Sequence, residues 1–141
     1  MRTKITILPL SLVILLALSV TGCQAEPAAL SDEQVVEITE NILTAINTAD
    51  YGQFVQDFGT EMVAAIPEDD FIDMRTMLQD SSGNFRTCQS PTLLNNGGYA
   101  IYRMICEFEQ EDVVVTITFK IGGDEVDGLF FDSPNLRKLN P

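Results

Sequence analysis

Residues 98–120 read GYAIYRMICEFEQEDVVVTITFK, and their apolar side chains recur at every second position. Ala100, Tyr102, Met104, Cys106 and Phe108 share one face, while Arg103, Glu107 and Glu109 share the other. Beyond Glu111 the alternation resumes, with Val113, Val115, Ile117 and Phe119 set against Thr116, Thr118 and Lys120. Successive side chains of a strand point to opposite faces, so each run predicts a strand with one buried side, and the short polar break predicts a hairpin. Working outward, NFRTCQS precedes this pair across LLNNGG, and DEVDGLFFD follows it across IGGD. Both separators carry turn residues. The expectation is a four-stranded antiparallel meander.

Upstream of Gly83 the spacing lengthens from two to three and four. In SDEQVVEITENILTAINTAD, Val35, Ile38, Ile42, Ala45, Ile46 and Ala49 form one stripe, widened by Val36 and Leu43. Ser31 followed by Gln34 has the form of a capping box, and Asp32 and Glu33 suit the positive end of a helix. A long amphipathic helix is predicted. After it, Asp50 is a candidate cap, Tyr51, Phe54, Val55 and Phe58 recur at helical spacing, and Gly59 and Pro67 punctuate the chain. Phe71, Met74 and Leu78 form a further stripe, so two or three short helices are expected. Asp69 and Asp70 near a helix start are accounted for by the helix dipole and need no metal. Helices first and strands afterwards give an α+β fold, with the N-terminal helices packed on one face of the sheet.

The N-terminus follows a different rule. MRTK precedes ITILPLSLVILLALSV, sixteen mainly apolar residues containing Pro9. This is the layout of an export signal, and the run is shorter than the roughly 20 apolar residues a spanning helix needs. It ends in VTGC, which resembles the lipobox of bacterial and archaeal lipoproteins. That resemblance implies a signal peptide over residues 1–22, a diacylglyceryl group on Cys23, and a lipidated tether over residues 23–30 ahead of a domain at 31–141. Each buried methylene contributes about 0.8 kcal/mol and one chain alone binds membranes marginally, so two chains make a stable anchor. The expected location is the cell membrane or outer envelope, on the extracytoplasmic side.

Lipidation of Cys23 leaves Cys88 and Cys106 as an even pair in an oxidising compartment. The two positions are symmetric about Gly97, so a hairpin turning at residues 95–98 brings them nearly opposite, and a disulfide is expected. The signal holds two of the eight basic residues and none of the 21 acids, so its removal takes the net charge from −13 to −15. Such acidity excludes nucleic acid as a partner, because phosphates require Lys and Arg. It also disfavours anionic lipid headgroups. The 119 residues that remain are enough for one domain with its own core.

The long first helix, DYGQFVQDF, the segment DFIDMRTML, the Gly-led strand and VDGLFFDSPNLR together resemble the small extracytoplasmic domains of unknown function in the nuclear transport factor 2-like, or cystatin-like, superfamily. The resemblance spans residues 31–138 and implies a curved sheet wrapped around the first helix, a cone whose open end takes a small molecule or a partner. Phe54, Phe58, Phe71, Tyr102, Phe119 and Phe130 are then the expected pocket lining. Superfamily members also include isomerases and cyclases that work with carboxylates, and Tyr51, Asp57, Asp73 and Tyr102 are the groups available for such chemistry. None of them matches that family's catalytic motif. The chain contains no His, so Ser or Cys nucleophiles lack their usual base and zinc lacks its usual ligands. No cofactor or metal is expected. The reading is therefore a tethered, non-catalytic domain for a small molecule or an envelope protein. The alternatives are a carboxylate-based enzyme or an assembly module whose exposed sheet face, carrying Leu129, Phe131 and Ile105, serves a homodimer.

Overall fold

The fold is taken from a computed structural model, which describes residues 29–139. The export signal, Cys23 and most of the tether lie outside the described residues. Helix α1 spans Asp32–Thr48 and starts as its sequence dictates: the Gln34 N–H donates to Ser31 Oγ (3.3 Å), and the Ser31 N–H donates to Gln34 Oε1 (3.1 Å). Val35, Ile42, Leu43, Ala45 and Ile46 are buried. Ala49 closes the helix in the left-handed region (φ 58°) and is exposed, so the apolar stripe ends one turn earlier than its spacing suggests. Three helices follow, α2 (Tyr51–Phe54), α3 (Thr60–Ala65) and α4 (Glu68–Ser82). Asp50 caps α2 by accepting the Gln53 N–H (3.0 Å). Pro67 precedes α4, where no N–H is missed, and Glu68, Asp69 and Asp70 occupy its first turn.

The strands are β1 (Phe85–Cys88), β2 (Thr92–Asn96), β3 (Tyr99–Phe108), β4 (Asp112–Lys120) and β5 (Val126–Asp132), followed by helix α5 (Pro134–Leu139). The sheet is antiparallel, with β3 paired to β4 and β4 to β5; β1 and β2 both lie on the remaining flank of β3. It has five strands, which corrects the expectation of four. LLNNGG is not a loop: Leu93 and Leu94 pair with Tyr102 and Ile101, and the turn is only Gly97 and Gly98. Their φ values of 57° and 92° are those of a type I′ turn, whose twist matches the strands it joins.

One face of the sheet carries Ala100, Tyr102, Met104, Cys106 and Phe108 with Val113, Val115, Ile117 and Phe119, all buried in one core with α1 and with Phe54, Phe71 and Leu78. The opposite face shows Arg103, Ile105, Thr116 and Phe130 to solvent or half-buried. The expected assembly face therefore divides. Leu129 and Phe131 pair with Ile117 and Val115 and pack against the core, leaving Ile105 on the outer side, where it is joined by Phe130.

Candidate functional site

Five of the six aromatic residues expected at a pocket mouth are instead closed inside the core. Phe54, Phe58, Phe71, Tyr102 and Phe119 are between 0% and 7% exposed. Phe54 stacks with Phe71 and Phe58 at centroid distances of 4.6 and 4.8 Å, and Tyr102 meets Phe119 edge-on at 5.9 Å. Helical spacing brought the first three together on one side and strand alternation the other two. Aromatic pairs in these tilted and edge-on arrangements add about 0.5–1.5 kcal/mol beyond burial. Only Phe130, 64% exposed, borders an open space.

That space is a cleft of about 350 Å³ between α4, β5 and α5. Met74 and Met77 of α4 and Ile66 form one wall, and Leu129, Phe131 and Leu136 form the other. The Asp132 carboxylate and the Arg137 guanidinium, joined as an ion pair, stand at its border. That hydrogen bond to Arg137 lowers the pKa of Asp132 below the ordinary 3.8. An apolar cleft with one charged pair at the rim suits an apolar group. Met side chains are adaptable walls for such a group, since they repack around different shapes.

The cleft was hidden from sequence because α5 was not foreseen. Its signal is nevertheless present in SPNLR: Ser133 caps the helix by accepting the Leu136 N–H (3.1 Å), and Pro134 opens it. Helix α5 is held by Glu111, whose carboxylate accepts the Ser133 hydroxyl (2.6 Å), the Ser82 hydroxyl (2.8 Å) and the Asn135 N–H (3.2 Å). One carboxylate thus joins the end of α4, the β3–β4 turn and the start of α5.

Of the groups considered for proton transfer, Asp57 borders a small cleft with Glu37, Asn41 and Gln56, and both tyrosines are bonded to backbone carbonyls. The Tyr51 hydroxyl donates to the Ile66 carbonyl (2.9 Å) and the Tyr102 hydroxyl to the Leu30 carbonyl (2.6 Å). Burial, with Asp32 nearby, raises the Tyr102 pKa further above 10.0 and keeps it a donor. Asp73 is exposed on α4.

Cys88 and Cys106 are directly paired across β1 and β3 and joined by a disulfide of 2.01 Å. A slip makes this pairing. From Asn96↔Tyr99 to Thr92↔Arg103 the ladder, extended unchanged, would set Cys88 against Glu107. Beyond Gln89, whose N–H still donates to the Ile105 carbonyl (2.9 Å), residues 90 and 91 break the ladder and shift the register by one, so Cys88 meets Cys106.

The family described as Protein of unknown function (DUF3887) matches residues 39–125. This span is more than half of the chain. The chain belongs to the DUF3887 family. The DUF3887 match runs from within α1 through β4, including the paired cysteines, and ends just before β5. The α4 wall of the cleft lies inside it, and the β5 and α5 wall lies beyond it. No curated protein matches the chain.

Proposed function

We propose that this chain is a lipoprotein, tethered through Cys23 to the outer side of a membrane, whose domain binds a partner or small molecule through an apolar group and does not catalyse. VTGC, placed directly after an export-signal core, supports the anchor. The observation that carries the binding reading is the cleft between α4, β5 and α5: about 350 Å³, walled by Met74, Met77, Leu129 and Leu136, with a neutralised ion pair at its edge. It has room for one bulky apolar side chain or a small apolar molecule. We further propose that the domain is a member of the nuclear transport factor 2-like superfamily, its sheet curved around α1 as in a cone.

The test is native mass spectrometry of the envelope-purified protein, with and without crosslinking. The reading expects a retained small molecule or a crosslinked protein, lost in Met77→Glu while the fold persists. A bare protein without crosslinks, or retention unchanged by Met77→Glu, contradicts it. A second reading, self-assembly through the outer sheet face, is favoured by Phe130 and Ile105, 64% and 42% exposed there. It expects a dimer that Phe130→Asp dissociates.

A further inference from the structure

We propose that the end of the sheet formed by the β2–β3 and β4–β5 turns rests on the lipid surface, with Leu93, Leu94, Tyr99 and Ile121 in the interface between headgroups and acyl chains. The proposal rests on the reading of Cys23 as the membrane anchor.

Three observations converge on this end. The first is where the described chain begins. The Leu30 carbonyl accepts the Tyr102 hydroxyl, and Tyr102 is the cross-strand partner of Leu93. The start of the domain is therefore fixed beside the β2–β3 hairpin. Cys23 precedes Leu30 by seven residues, which reach roughly 25 Å at most when fully extended. A lipid on Cys23 keeps Leu30 and the hairpin beside it within roughly 25 Å of the bilayer.

The second is the rim itself. Leu93, Leu94, Tyr99 and Ile121 are 39%, 50%, 41% and 37% exposed. Backbone pairing places them at one end of the sheet on both of its faces: Tyr99 pairs with Lys120, the Ile121 N–H donates to the Gly98 carbonyl (2.9 Å), Leu94 pairs with Ile101 on the face of Tyr99, and Leu93 pairs with Tyr102 on the other. The side chains do not pack into the core cluster, and Tyr is a residue that places an apolar ring and a polar hydroxyl across a membrane interface.

The third is charge. In this acidic chain residues 87–102 contain no Asp, Glu, Lys or Arg. Lys120, within the rim, is paired with Asp127 (3.0 Å). At the opposite end of the same two strands stand Glu107, Glu109, Glu111 and Asp112. A ten-residue strand separates the two ends by about 34 Å. The acids at this end are Asp127, paired with Lys120, Asp124 and Glu125 in the β4–β5 turn, and Asp32 and Glu33 at the start of α1. They make uncharged headgroups the compatible surface, because an anionic leaflet repels them. The uncharged β2–β3 hairpin next to the tether and the acidic β3–β4 turn away from it orient the domain upright.

The chain has no Trp, so a single introduced indole reports its own surroundings. The full-length protein, processed in its host, is reconstituted with phosphatidylcholine vesicles containing brominated acyl chains. Two variants are compared, Tyr99→Trp at the rim and Gln110→Trp at the acidic end, with Leu94→Trp replacing the first if that one fails to fold. Flotation with the vesicles reports the anchor, and quenching reports the rim. The expected result is flotation of both, with a blue shift and quenching for Tyr99→Trp and neither for Gln110→Trp. Added phosphatidylglycerol should weaken the rim signal. Flotation with an unquenched rim indole overturns the proposal and leaves the anchor standing. Without flotation the anchor reading fails, and the rim is then judged by titrating vesicles onto the same protein: no spectral shift for Tyr99→Trp overturns it too.

Discussion

The two flanks of β3 are built on different principles. On one side β4 pairs with it without interruption from Tyr99↔Lys120 to Glu107↔Asp112. On the other, β2 and β1 share the flank, broken at residues 90–91 and out of register with each other by one residue. The unbroken flank is held by its own ladder and by the alternation of Val113, Val115, Ile117 and Phe119 into the core. The broken flank is supported from outside the sheet. A disulfide joins Cys88 to Cys106, and α1 supplies backbone partners that a neighbouring strand would otherwise provide. Asn47 accepts the Phe85 N–H (3.0 Å) and donates to the Phe85 carbonyl (2.9 Å), and Glu40 accepts the Cys88 N–H (3.0 Å). A short edge strand covered by helix side chains offers no open template for another chain. Continuity of pattern makes a strand self-sufficient, and a strand without it needs cross-links.

The largest expected effect falls on the broken flank. Reducing Cys88–Cys106, eighteen positions apart, should lower the unfolding free energy by about 3 kcal/mol, measured by denaturant titration with and without reductant. An unchanged midpoint would show that β1 stands without its staple. Next comes Asn47→Ala, which removes both partners of the Phe85 backbone at once. It should cost about 2 kcal/mol in the same titration, because a half-buried backbone group is left unpaired.

Acid should act on the same flank, more weakly. The Glu109 carboxylate accepts the Asn84 N–H ahead of β1, and this bond lowers its pKa below the ordinary 4.5. A carboxylate with a lowered folded pKa contributes stability above 4.5, and that contribution fades as pH falls below 4.5 through the folded value. The acid loss in Glu109→Gln should be smaller than in the parent, as read by thermal melts across that range. The smallest effect belongs to the intact flank: Thr116→Ala, outward on β4, should shift stability by no more than about 0.5 kcal/mol. A larger loss would mean that the unbroken ladder also depends on its outer face.

The same contrast explains what could be read from the residues. Helix α1, β3 and β4 were legible to the face, because caps and alternation are local signals and the core agreed with them. TLLNN was not, since adjacent Leu93 and Leu94 break alternation and Asn-Asn-Gly-Gly reads as loop; its pairing with β3 is a tertiary fact. The disulfide followed from symmetry about Gly97, although the register slip that completes it is invisible in sequence. The aromatic residues were correctly seen as an apolar set, but composition does not distinguish a filled core from a lined mouth. The cleft was missed with α5, whose six residues give too short a pattern for periodicity to register.

The broken flank and the proposed anchor meet in one prediction, since the Cys88–Cys106 bridge leaves Cys23 as the one cysteine available to a lipid. Intact mass spectrometry of the chain extracted from membranes under non-reducing conditions tests this most directly. The expected species begins at Cys23, carries a diacylglyceryl adduct, and is lighter by two hydrogens for the Cys88–Cys106 bridge. A chain retaining residues 1–22, or one with a free thiol at Cys23, would contradict it.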